Sequence, residues 1–211
     1  MARYVGPSCR LCRTEQKKLF LKGDRCKSAK CPINKKRLAP GKAPKARVGK
    51  RSDYGVQLRE KQRVKRMYGM LEKQFRLFFE HALRMPGKTG ENLVQLLETR
   101  LDNVVYRLHF ASSRAMARQL VLHGHIAVNG KRVNVPSFAV KPNDVISVHP
   151  SSQKLQAIKE SLKEFSKSGV ASWISLDADK EEGKFLAYPA RADITELADV
   201  HEQLIVELYS K

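Results

Sequence analysis

Ser113–Lys131 reads SRAMARQLVLHGHIAVNGK, and the hydrophobic period changes inside it. Ala117, Leu120 and Val121 recur at helical spacing. Ser112 or Ser113 can cap the start, and Gly124 can end it. The helix expected over 113–123 buries those three residues and projects Arg114, Arg118 and Gln119. Past Gly124 the period is two. Ile126-Ala127-Val128, Asn129-Gly130 and Lys131-Arg132-Val133 read as a tight hairpin, because Asn-Gly accepts positive φ at both central positions.

Working outward, Leu93, Leu96, Leu97, Leu101, Val104, Val105 and Leu108 form one apolar stripe, which predicts a helix over about 92–109 with Arg100 and Arg107 off it. Downstream, Pro142-Asn143-Asp144 is a turn before a strand over Val145–Val148. A helix over about 153–167 follows. Short strands are expected at Trp173–Leu176, Lys184–Ala187 and Leu204–Tyr209, with a helical piece near 193–202. Upstream, a helix from Tyr54 to about Tyr68 is capped by Ser52 or Asp53 and closed by Gly69, and its face is mostly basic. Another covers about 71–84, with Leu71, Phe75, Phe78, Phe79, Ala82 and Leu83 at helical spacing. No internal repeat is present.

The 211 residues carry 41 Lys+Arg against 21 Asp+Glu, a formal net charge of +20. A surplus of that size points to a polyanionic partner. It is concentrated at the front: residues 1–70 hold 22 Lys+Arg and only Glu15, Asp24, Asp53 and Glu60 as acids. Residues 36–51 are rich in Pro, Gly, Lys and Arg with almost nothing to bury, so they are expected to order only against a partner. No apolar run approaches the ~18 residues of a membrane span, and Met1-Ala2-Arg3-Tyr4 does not begin a signal peptide. A cytoplasmic protein without a membrane partner is expected.

The four cysteines, Cys9, Cys12, Cys26 and Cys31, have the spacing C-x2-C-x13-C-x4-C. Two such pairs can give four thiolates to one tetrahedral ion. Arg10, Arg13, Arg25, Lys27 and Lys30 offset the charge of that set and favour the thiolate. Zinc is the first reading and a [4Fe-4S] cluster the alternative. Two disulfides would conflict with a cytoplasmic address.

Catalysis finds no support. The six histidines are scattered, and no G-x-S-x-G, Walker A or dinucleotide fingerprint occurs. An RNA-modifying enzyme would need a separate catalytic domain, and only about sixty residues follow the hairpin and its sheet. A zinc-dependent DNA-binding regulator would need a recognition helix at the cysteines, and residues 1–35 show no helix-period run.

Glu98–Val148, with Arg100-Leu101-Asp102-Asn103, Ser113-Arg114, Ala117–Val121 and His123–Lys131, closely resembles the RNA-binding module named after ribosomal protein four. Met1–Pro7, Ser52–Gln62, Arg100–Arg107 and Leu204–Lys211 extend the likeness over the whole chain, to the cysteine-containing variant of that bacterial-type family of the small subunit. The resemblance implies a non-enzymatic protein that binds the five-prime domain of small-subunit rRNA early, nucleates assembly of the subunit body and contributes to translational accuracy. It implies small-subunit ribosomal proteins five and twelve as neighbours, mRNA near the channel that admits it, and no homo-oligomer. Arg47 and Lys50 are the candidates for lining that channel.

Arg suits this work because its planar fork meets phosphate oxygens in pairs. In the module, the residues assigned to RNA are Arg100, Arg114, Arg118, Gln119, His123, Lys131 and Arg132. His123 could equally cap or pack the helix end, and Asp102 is expected to hold an Arg or a helix end. In front of the module they are Arg3, Arg47, Lys50, Arg51, Tyr54, Gln57, Arg59 and Lys61. The expected architecture is α+β. A metal-binding basic arm spans 1–45, and a helical domain spans 46–95, completed by about 189–202. The RNA module of two helices and a hairpin, with a small mixed or antiparallel sheet, spans 96–188, and 203–211 returns as a last strand.

Overall fold

A computed structural model describes residues 3–41, 49–165, 169–178 and 180–210. The chain forms an α+β fold of two compact units: Met1–Asn92 with Asp199–Lys211, and Leu93–Ala198. Among the described residues no helix is long and apolar enough to cross a membrane.

The first unit is helical. It holds α1 (Ser8–Glu15), α2 (Asp24–Lys27), α3 (Asp53–Met67), α4 (Glu72–Arg84), the start of α5 (Thr89–Glu98), and α9 (Glu202–Tyr209). Ser52 caps α3, its Oγ accepting the Gly55 N–H at 3.3 Å. Val64, Met67, Phe75, Phe79, Ala82 and Ile205 are buried together with Leu19. α3 packs against α9, and Tyr209 stacks on Phe79 with ring centroids 4.5 Å apart.

α9 corrects the expected returning strand at Leu204–Tyr209. Ile205 and Tyr209 are four residues apart, so a helix puts both on one side, toward a core already lined with aromatics. β-branched Ile205 and Val206 suggest a strand locally, but tertiary burial decides otherwise. α1 and α2 also form where no helix-period run was legible.

Among the described residues, the second unit contains the rest of α5, α6 (Leu101–Arg107), α7 (Arg114–Leu122), α8 (Gln156–Phe165) and five antiparallel strands in the order β2-β1-β3-β5-β4. These are β1 (Ile126–Val128), β2 (Lys131–Arg132), β3 (Val145–Val148), β4 (Ile174–Asp177) and β5 (Glu182–Phe185). The hairpin pairs Val128 with Lys131, and Asn129 and Gly130 have φ of 50° and 76°, as their turn demands. Leu97, Leu101, Val105, Leu108, Phe110, Ala117, Val121, Ile126, Ile146 and Phe185 form its core.

The single helix expected over 92–109 is two helices. Arg100 is extended between α5 and α6, bridges Ala139, and lets Leu101 N–H donate to Phe138 C=O at 2.8 Å. Long-range backbone pairing outweighs the local helical period there. The helical piece near 193–202 is two 3₁₀ turns, Arg191–Asp193 and Thr195–Leu197, and residues through Ala198 belong to the second unit.

Candidate nucleic-acid interface

The end of α7 sets the geometry of the module. Gly124 N–H donates to Val121 C=O at 2.9 Å and His125 N–H to Leu120 C=O at 3.0 Å, with Gly124 at φ +71°. This pair of hydrogen bonds stops the helix and turns the chain directly into β1. His123 is exposed at the corner, Gln119 is exposed one turn earlier, and Lys131 and Arg132 are exposed on β2. Arg132 Nη2 donates to His123 C=O at 2.8 Å.

Three arginines expected on this surface are turned inward. Arg100, Arg114 and Arg118 are 1%, 8% and 7% exposed. Arg100 forks onto Asp102, Nε to Oδ1 at 3.0 Å and Nη2 to Oδ2 at 2.6 Å, and Arg118 Nη1 reaches the same Oδ2 at 3.2 Å. Arg114 donates to Asn103 Oδ1 at 2.8 Å and to Glu196 Oε2 at 2.5 Å, and lies 4.5 Å over the Tyr106 ring. Arg107 forks onto buried Glu98 at 3.0 and 2.8 Å and meets Glu196 at 3.1 Å. Burial opposes ionisation of Glu196, but Arg114 and Arg107 outweigh it and hold its carboxyl below the ordinary range. The correction has a plain cause. Arg114 and Arg118 do share a face of α7, and Asp102 and Glu196 meet that face.

The front assignments divide the same way. Arg3, Lys50 and Arg51 are exposed, and Tyr54 is 59% exposed. Arg47 lies outside the described residues. Gln57 is buried and donates to Glu207 Oε2 at 3.0 Å, and Lys61 is buried with its Nζ 2.6 Å from Glu72 Oε1. Arg59 is half-buried, 3.4 Å from Glu15, which also pairs with Arg66. Burial pushes the Glu15 carboxyl up against the pull of those two arginines. Burial pushes the Glu72 carboxyl up as well, but hydrogen bonds from Lys61, Lys65 and Tyr209 together outweigh it and bring the carboxyl down to about 2.

All four cysteines are free thiols; Cys12, Cys26 and Cys31 are buried and Cys9 is half-buried. Burial raises the Cys12 thiol, and the charges of Cys26, Cys9 and Cys31 add to that. Burial raises Cys26 as well, countered by the Lys22 amide at 3.4 Å. The donors are thus grouped, with amides aimed at sulfur, but among the described residues no three His, Cys, Asp or Glu side chains stand in metal-holding geometry.

Glu196 was not legible as a partner of Arg114, since 82 residues separate them, and Glu98 meets Arg107 only across the break between α5 and α6. Asp102 was legible, because its spacing to Arg100 is local.

A short helix that feeds an antiparallel hairpin, in a chain whose other unit is helical and strongly basic, is the arrangement of an RNA-binding protein. Residues 3–98 match the ribosomal protein S4/S9 N-terminal domain, and residues 99–146 match the S4 domain. The chain is 56% identical over 211 residues to the small ribosomal subunit protein uS4 of Citrifermentans bemidjiense and, equally, to that of Trichlorobacter lovleyi. It is 53% identical to that of Syntrophobacter fumaroxidans, and each alignment covers the whole of both chains. The chain belongs to the uS4 family of small ribosomal subunit proteins. It is therefore a ribosomal protein and not an enzyme.

Proposed function

We propose that this protein binds the five-prime domain of small-subunit rRNA as a primary binder, nucleates assembly of the subunit body and thereby supports translational accuracy. Its place is the small subunit of the cytoplasmic ribosome, beside small-subunit ribosomal proteins five and twelve, with the basic stretch around Lys50 toward incoming mRNA. The observation that carries this reading is which cations face solvent. After Asp102, Glu98 and Glu196 have taken Arg100, Arg107, Arg114 and Arg118, Lys131 and Arg132 on the hairpin are among the exposed cations of the module, and many more lie along the front third. A folded RNA recognised by shape and phosphate matches that distribution.

The test is binding of the purified chain to a transcript of that domain in competition with an unrelated folded RNA. The expected result is preference for the domain. The K131A/R132A variant should bind more weakly, with the slope of log affinity against log salt reduced by up to about 2. Equal binding to both RNAs would refute the assignment.

The cysteines are proposed as ligands of one zinc ion, with a [4Fe-4S] cluster as the alternative. Burial of three thiols beside the fourth, with amides directed at Cys12 and Cys26, supports a shared occupant. When bound, the ion would supply folding energy to α1 and α2, which bury little apolar surface of their own.

A further inference from the structure

At the end of α7 two imidazoles and a guanidinium crowd one corner. The His123 and His125 rings are 5.9 Å apart, at 62° to each other. Arg132 crosses from β2 over Gly124 so closely that a Cβ there would lie 2.1 Å from its Nε. His149, after β3, donates its N–H to His125 C=O at 2.8 Å, and its own Nδ1 lies 2.8 Å from Ser151 Oγ. Ser152 Oγ is 2.8 Å from His125 Nδ1.

We infer that His123, His125 and Arg132 form a proton-coupled phosphate grip, in which the imidazoles take up protons as an RNA phosphate seats against them. The inference rests on the rRNA reading above and adds its regulation. Burial lowers the His125 pKa, and the neighbouring His123 and Arg132 lower it further. The Arg132 charge disfavours a proton on the imidazole beside it in the free protein, and a phosphate seated against the cluster would favour one. Arg132 is charged at every relevant pH, so it attracts the phosphate first, while the imidazoles set the pH dependence. The Ser152 hydroxyl can donate to neutral Nδ1 or accept from the protonated one, so that bond survives either state and Nε2 stays available. The imidazole of His149, engaged with Ser151, is a further titratable group near this corner.

The test uses the full chain and the five-prime-domain transcript at fixed salt. Binding should be about three- to tenfold tighter at pH 6 than at pH 8. Calorimetry in two buffers of different ionisation enthalpy should show net proton uptake. The H123Q variant alters an exposed residue and should lose part of the pH dependence, and H123Q/H125Q should lose most of it while still binding. NMR titration should show the lowered His125 pKa rising in the complex. Equal affinity at the two pH values without proton uptake overturns the grip and leaves the rRNA reading standing, as does a pH dependence unchanged in the double variant. No preference for the transcript at any pH overturns the rRNA reading and the grip with it.

Discussion

Arg114 and Arg118 lie four residues apart on α7, and their side chains are fixed by Glu196 and Asp102, 82 and 16 residues away along the chain. A guanidinium left in a core without an anion would be very costly, so Glu196 and Asp102 are part of the fold and not ornaments of it. Glu196 joins Arg107 to Arg114. Its replacement by Ala should destabilise the protein by about 2–4 kcal/mol at pH 7, somewhat less than a fully buried pair because its side chain is partly exposed. Urea unfolding measures this, and an unchanged midpoint would contradict it. The pH dependence follows from the lowered carboxyl. Its stabilisation is fully present above the unfolded value of about 4.3 and is lost as pH falls through the lower folded value. E196Q should remove that part of the acid dependence.

Two elements show where a local pattern is insufficient. α5 and α6 carry one continuous apolar stripe, yet Arg100 breaks the helix because its backbone pairs with Ala139. α9 has β-branched residues at its centre, yet it coils because its buried side chains must reach the aromatics of α4. By contrast α3, α7 and the β1–β2 hairpin were legible from caps, Gly124 and Asn129-Gly130, whose chemistry is local. α1 and α2 bury little besides cysteines, so a bound ion would decide their stability. Metal analysis of the anaerobically purified chain should find one zinc per chain and no visible absorption. A coloured protein with iron and sulfide would replace zinc by the cluster, and a metal-free colourless one would remove the proposal. C9S/C12S should lose the metal while α3 and α4 keep their helical signal.

The two units differ in how they are built. Leu93–Ala198 is a continuous stretch whose sheet and whose Glu98, Asp102 and Glu196 pairings close within it. A fragment of residues 89–198, which keeps α5 whole, should therefore unfold cooperatively in urea. A broad, featureless transition by circular dichroism would show that the unit needs the rest of the chain. The first unit is discontinuous, because residues 199–211 complete it with α9. The expected division gave about 189–202 to the helical domain and 203–211 to the module, whereas Asp199–Lys211 group with the first unit.

The sequence by itself determined the α+β class, the family, the hairpin, the concentration of charge in the front third and the grouping of four cysteines. Each of these depends on composition or on residues close together in the chain. Only the tertiary structure decided that Arg100, Arg114 and Arg118 serve the interior and that the C-terminal segment is a helix. It also brought His123, His125 and Arg132 to one corner. Which charge meets solvent and which meets an acid depends on partners brought in from distant segments, and a one-dimensional pattern does not carry that information.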